Sequence, residues 1–212
     1  MTETDAAAAP AEHRLTAPGR RTRERIVEAA ADLMFRKGVA GTSIPDVLHA
    51  AGVSASQVYH YFGDKRGLVS AVIDHQIEAS LNSQRPVLDR LDSFEALHAW
   101  CDAAVAGQER RNCEGGCEIG SLASELVETD ATLRADLVAA FERWEAPIRE
   151  GLARMQQRGE ISADADVRNL ATAMLAAIQG GLLLTQIHRD PRPLRAATNA
   201  AIAHIESFAA GR

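Results

Sequence analysis

Between Gly41 and Asp64 the helix start and stop signals are so closely spaced that only short helices fit between them. In "GTSIPDVLHAAGVS", Thr42 or Ser43 can cap a helix and Pro45 sits in its first turn, where a missing N–H does no harm. Ile44, Val47 and Leu48 are its inward side. Gly52 breaks the run, Val53 is expected to be buried, and Ser54 caps a third helix over about 55–62, before Gly63 and Asp64 punctuate again. Two short helices around a tight glycine-containing turn form a helix-turn-helix. Val58 and Phe62, four residues apart, share the face that docks this helix on its neighbours. The opposite side then carries Ala55, Ser56, Gln57, Tyr59, His60 and Tyr61, including both tyrosines of the chain. Short side chains at the start let backbone approach a surface, and hydroxyls and amides further along can hydrogen-bond to it. The second helix of such a motif enters the major groove of DNA with its N-terminal residues at the bases. Phosphate contacts set register and base contacts set specificity, so the tyrosines read as clamps on the two sides of the groove. Taken singly, each is more often a half-buried core aromatic with a wet tip; the preceding turn and cap change that balance, because residues 58 and 62 already fill the inward face.

The flanking segments are also helical. Residues 1–19 show no period and read as a flexible arm. Arg20, Arg21, Arg23 and Arg25 then cluster against the single acid Glu24, either as phosphate or minor-groove contacts or as a solvated basic stretch. From Thr22, Ile26, Val27, Ala30, Leu33, Met34 and Phe35 recur at helical spacing, and Gly38 ends that helix after Arg36 and Lys37. A fourth helix is expected from Lys65 to Asn82. Beyond Pro86, helices are expected over 93–110, 118–127, 130–158, 166–187 and 194–209. Asp92 with Glu95 is a plausible capping box for the first of these, Asp130 could cap the third, and Pro147 should kink that third one. "MLAAIQGGLLL" is apolar around most of its circumference, which calls for burial on several sides and suggests a partner subunit. Its Gly180–Gly181 pair reads as a close helix crossing at that seam. The fold expected is all-α: an arm over 1–19, a three-helix helix-turn-helix head over 20–66, and a larger helical body over 67–212.

Composition narrows the function. The chain is 46% apolar and 25% charged, an ordinary globular balance. No apolar run approaches the roughly 20 residues that span a bilayer, and the start lacks the pattern of a secretory signal; a cytoplasmic protein without membrane contact is expected. A formal charge of −6 argues against a nonspecific nucleic-acid coat, though not against DNA binding by a locally basic surface. No nucleophile–base pair, metal triad or phosphate loop supports an enzyme, and no cofactor or metal is expected.

"RERIVEAAADLMFRKGVAGTSIPDVLHAAGVSASQVYHYFGDKRGLVSAVID", residues 23–74, resembles the DNA-binding domain of TetR/AcrR-family transcriptional regulators. "AA.LMF..KG", "GTSI.DV...AGVS" and "VYHYFGDKRGL" carry the likeness in order; Pro45 and His60 fall at positions that vary. The resemblance implies a homodimer whose last two helices form the interface, with an effector cavity in the body and release from a pseudo-palindromic operator when an effector binds. By position it assigns backbone contacts to Thr42, Ser43, Ser54, Gln57, Tyr59, Tyr61 and Lys65, and places Ala55, Ser56 and His60 nearest the bases. It also directs attention to Leu97, Trp100, Leu122, Leu126, Phe141, Trp144, Ile148, Met174, Ile178 and Gln179 as candidates for the effector site. The function expected is a ligand-responsive, sequence-specific regulator of transcription, a repressor on double-stranded operator DNA.

"NCEGGCEIGSLASEL" is the remaining motif. Cys113 and Cys117 flank a Gly-Gly loop with His98 and Cys101 upstream, which suggests a thiol redox switch or a soft-metal site. Zinc sites show closer cysteine pairs and four ligands. The plainer reading is a glycine-containing entry to a short helix, with cysteines as small apolar fillers. A redox-responsive DNA-binding regulator using Cys113 and Cys117 is the alternative function.

Overall fold

The computed structural model describes residues 15–210, and among them it contains nine α-helices and no strand beyond one isolated bridge, Ile161 to Ala209. The helices are α1 (Ala17–Lys37), α2 (Ile44–Ala51), α3 (Ala55–Phe62), α4 (Lys65–Gln84), α5 (Phe94–Arg110), α6 (Glu118–Leu126), α7 (Ala131–Gln157), α8 (Val167–His188) and α9 (Arg192–Glu206). The fold is all-α, as expected. Helices α1 to α3 pack on one another and on the start of α4; α4 continues onto α6 and α7; α8 packs on α7 and α9; and α9 packs on α5.

Local signals explain most boundaries. The Gly19 N–H donates to Thr16 Oγ1 at 3.3 Å, so α1 starts five residues before the expected Thr22. Pro18 and Gly19 look like breakers, but they occupy the first turn, where the ladder needs no donor. Residues 15–19 of the expected arm are therefore cap and helix, and residues 1–14 lie outside the described residues. Ser43 rather than Thr42 caps α2, and Ser54 caps α3. Ser93 caps α5, accepting from the Ala96 N–H at 3.1 Å, whereas the expected cap Asp92 pairs with Arg154 of α7 and with Arg158 just beyond its end. Asp130 caps α7 as expected, and that helix runs on through Pro147 as one element.

Val58 of α3 is fully buried, as are Ile26, Leu68 and Ile73 around it. Val53 and Phe62, expected to be buried, stay half-buried at the edge of this cluster. The Arg23 guanidinium lies over the Phe62 ring, 5.4 Å from its centroid, a cation–π contact. Two glycines set helix approaches in the body. A Cβ on Gly181 would lie 2.9 Å from Leu194 Cα, so this residue lets α8 cross α9 of its own chain; beside it, Gly180 has nothing within 4 Å. At Gly181 the close crossing is thus made within the chain.

On Gly151 of α7 a Cβ would sit 1.7 Å from the Leu91 carbonyl oxygen. Because backbone cannot yield as a side-chain tip does, Gly151→Ala should lower the unfolding free energy by about 1–3 kcal/mol. Gly107→Ala, whose Cβ meets only the end of Arg110 at 3.7 Å, should raise it by about 0.5–1 kcal/mol. Urea denaturation of the two variants beside the parent protein measures both signs.

Candidate nucleic-acid interface and cavity

The second helix of the helix-turn-helix is built by a reciprocal cap. The Gln57 N–H donates to Ser54 Oγ at 3.4 Å, and the Ser54 N–H donates to Gln57 Oε1 at 3.0 Å. The amide oxygen of Gln57 is thereby occupied and its NH₂ is what remains to offer. Ser54, Ala55, Ser56, Tyr59 and His60 are exposed, and the Tyr59 ring is 53% accessible. Tyr61 differs: its ring is half-buried, lies edge-on to Phe62 at 6.1 Å, and brings its hydroxyl near Gly19 of α1. One tyrosine thus projects outward and the other also joins the head to its first helix.

Three further candidates are engaged in the fold. Thr42 is 1% exposed and donates from Oγ1 to the Gly38 carbonyl at 2.8 Å. Its side chain is corrected from a surface contact to an internal brace of the turn after α1. The Ser43 hydroxyl lies 2.6 Å from Asp46 Oδ2, inside the cap of α2; these bonds hold the Asp46 carboxyl below the usual carboxylate range. Lys65 Nζ donates to the Val39 carbonyl at 2.7 Å, leaving two of its three donors. Within the arginine cluster, Arg25 Nε donates to the Ala51 carbonyl at 2.9 Å and Arg20 to the Leu15 carbonyl at 2.6 Å. These arginines belong to α1, not to an arm.

The sign of charge separates head from body. Residues 20–66 carry eight Lys/Arg against five Asp/Glu, while residues 67–212 carry fourteen against twenty-one. The net acidity of the chain therefore resides away from the helix-turn-helix, where phosphates would not meet it.

In the body, α4, α5, the 116–119 segment, α7 and α8 surround a cavity of about 640 Å³. Trp100, Trp144 and Ile178 line it, as expected. Leu122, Leu126, Ile148 and Met174 do not; they are buried core, as is Leu97. Phe141 stacks on Trp144 at 6.3 Å without reaching the cavity, and Gln179 sits behind it against Cys117. Lining residues that the reading of the sequence missed include Gln76, Ser80, Gln84, Cys101, Gln108 and Cys117. Trp100, Ala104 and Gln108 recur every fourth residue of α5, and a glutamine in that row was the available signal. Trp100 Nε1 donates to Gln84 Oε1 at 2.8 Å. Gln108 Oε1 and Trp144 Nε1 are buried with no hydrogen-bond partner.

The cysteine motif has a local role. Cys117 Sγ accepts from the Gly120 N–H at 3.3 Å and caps α6, so this is the glycine-containing helix entry with the sulfur as cap. All three thiols are free. Burial pushes the Cys101 thiol up to about 12 and moves the Cys117 thiol upward too, away from the thiolate that oxidation needs. Among the described residues no group of three or more His, Cys, Asp or Glu is placed to hold a metal.

A capped, outward-facing helix on a basic helix-turn-helix, set on a helical body, defines a DNA-binding regulator of transcription. Residues 26–72 match the family model of bacterial regulatory proteins of the tetR family, and residues 93–201 match that of the tetracyclin repressor-like C-terminal domain; the chain belongs to the TetR family of transcriptional regulators. A regulator in the lacX 3' region of Lactococcus lactis is 31% identical over 175 residues, covering 81% of this chain and 86% of its own. The transcriptional repressor DhaR of Mycobacterium sp. strain GP1 is 26% identical over 177 residues, covering 81% and 86%. The crystal structure of a TetR regulator from Chloroflexus aurantiacus superimposes with a TM-score of 0.75 at 28% identity, covering 92% of this chain and 98% of that one.

An unpaired buried polar atom costs about 1–3 kcal/mol. Gln108→Leu should therefore stabilise the ligand-free protein by about 1 kcal/mol, read as a higher urea midpoint at unchanged slope. A lowered midpoint would mean that Gln108 supports the fold rather than the cavity.

Proposed function

We propose that the protein is an effector-responsive repressor that binds a pseudo-palindromic operator as a homodimer. The observation that carries this reading is the pairing of an exposed, capped recognition helix with a cavity whose wall keeps two buried polar atoms unpaired. In this reading Ser54, Gln57, Tyr59, Tyr61 and Lys65 hold phosphates, assisted by Ser43, while Ala55, Ser56 and His60 meet base edges. Where DNA is the target, the cytoplasm is the compartment.

Dimerisation is supported by an unpartnered apolar face on α8. Leu183, Leu184 and Ile187 follow one another at helical spacing, and Ile187 is 63% exposed. Helix α8 is long and apolar enough to cross a membrane, contrary to the expectation from residue runs, yet it packs along α7 and α9. A lone helix in lipid would need no such partners, and a two-fold contact between α8–α9 pairs would cover the remaining face. Recognition helices about 34–36 Å apart would then enter successive major grooves. The effector, in this reading, is a molecule with a largely apolar body that offers Gln108 a donor and Trp144 an acceptor. It releases DNA only if it binds the splayed dimer more tightly than the docked one. The redox alternative has no supporting geometry, and Cys113→Ser with Cys117→Ser should leave effector-driven release intact.

Binding to the DNA upstream of the chain's own coding sequence, followed by fluorescence anisotropy across salt concentrations, tests the proposal. Specific binding should weaken as salt rises. Tyr59→Ala should weaken it by about 1 kcal/mol or more, and Ile187→Glu should yield monomers in light scattering and lose operator binding. Unchanged affinity in both variants would refute the assignment.

A further inference from the structure

We propose that Glu125 is the positioning residue through which α6 passes the state of the cavity to the helix-turn-helix; this rests on the effector-responsive reading above. Two ends of one short helix carry the inference. At its N-terminal end Cys117, Glu118 and Ile119 form part of the cavity wall. Two turns later, Glu125 Oε2 accepts from the Val39 N–H at 2.8 Å and the Ala40 N–H at 3.4 Å, in the turn between α1 and α2. Successive backbone N–H groups in such a turn make a concavity suited to an anion. The turn is shaped for it. Gly38 holds φ at +73°, and a Cβ there would lie 2.9 Å from Glu125 Oε1.

The same turn is gripped from the head. The Val39 carbonyl accepts from Lys65 Nζ at 2.7 Å, and the Gly38 carbonyl from Thr42 Oγ1 at 2.8 Å. Val39 is thus a single residue whose N–H answers to the body and whose carbonyl answers to the start of α4. A carboxylate in the last turn of a helix opposes that helix's own dipole, so Glu125 gains nothing within α6 and gains its hydrogen bonds outside. Phe35 of α1 adds a second contact, its ring lying where a Cβ of Gly115 would come within 2.8 Å. An occupant that shifts the first turn of α6 moves Glu125 with it, because a short helix moves as one body. The head then loses the bond that fixes its attitude on the body.

The test places a known occupant at the wall. In a Cys101→Ala, Cys113→Ser background, Cys117 is the only thiol, and benzyl methanethiosulfonate, applied in excess at alkaline pH because burial raises this thiol's pKa, converts it to a benzyl mixed disulfide with release of methanesulfinate, complete labelling being checked by mass. Operator affinity by anisotropy and amide exchange at Val39 and Ala40 are read with Glu125, Glu125→Gln and Glu125→Ala. With Glu125 the label should weaken operator binding at least tenfold and speed exchange at both amides, and dithiothreitol should reverse both effects. With Ala the label should change affinity less than twofold, and Gln, which keeps an acceptor oxygen, should restore most of the response. An Ala variant that responds to the label as fully as the Glu125 protein overturns the role of Glu125 and leaves the effector reading standing. A fully labelled Glu125 protein at undiminished operator affinity overturns both.

Discussion

Helix α4 is the constraint on which the rest of the molecule depends. Its buried residues, Leu68, Val69, Val72, Ile73, Ile77 and Leu81, do not form one stripe but spread around most of its girth. That distribution is unstable in a helix with a single partner and is stable here because α4 has two sets of neighbours. Its first turns pack on α1 and α3, and its later turns pack on α6 and α7. Each such side chain, fully buried, is worth about 1.5–3 kcal/mol, so head and body are joined by hydrophobic burial along one continuous rod. Arg143 of α7 adds ion pairs to Asp74 and Glu78 on the rod's exposed side, which contribute little beside the apolar contact. Any motion of α4 relative to α7 must therefore reach the recognition helix.

The cavity lies beside that rod, and its wall is chemically unfinished. Gln84 on α4 is satisfied by Trp100, while Gln108 Oε1 and Trp144 Nε1 have no hydrogen-bond partner among the described residues. Protein interiors seldom tolerate such atoms, because each carries the full loss of its hydration. A sequence selected for stability alone would place leucine or methionine there. Keeping a glutamine oxygen and an indole N–H unpaired in the cavity wall is intelligible under the proposal that a small molecule completes them.

How much of this could be read beforehand follows from the range of the interactions. Ser54 with Gln57, Gly52 and Gly63 act within a few residues, so α3 was legible to its ends. Thr16 was missed as the cap of α1 because Pro18 and Gly19 resemble a break until the first-turn rule is applied to them. Asp92 lost the cap of α5 to Ser93 because two arginines at the end of α7, Arg154 within it and Arg158 just after it, more than sixty residues away, claim its carboxylate. Thr42 is a surface residue by pattern and an internal one by packing, since the choice depends on where the Gly38 carbonyl points. The cavity was legible only in Trp100, Trp144 and Ile178. Leu122, Ile148 and Met174 have the same spacing as true lining residues, and which side of a stripe meets a void is decided by helices that converge from four parts of the chain.

The division of charge completes the physical picture. A chain that is acidic overall approaches DNA against its own field unless the positive residues lie at the contact. Here the body holds the acidic excess and the head the basic one, so the molecule has an orientation before it touches a phosphate. Within the head, however, several cations are already spent: Arg25 holds the end of α2, Arg23 covers Phe62, and Lys65 gives one donor to Val39. Contacts left to neutral donors, the Tyr59 hydroxyl and the Gln57 amide among them, release few counterions on binding. Each head alone then has only a modest electrostatic hold. Two heads fixed at one helical repeat add their free energies only when both fit, because the second contact gains an effective concentration that vanishes once geometry forbids it. In the proposed dimer, a small rotation of each head about α4 would turn a tight two-site complex into two weak ones, and the chamber lies beside the rod where it could impose that rotation.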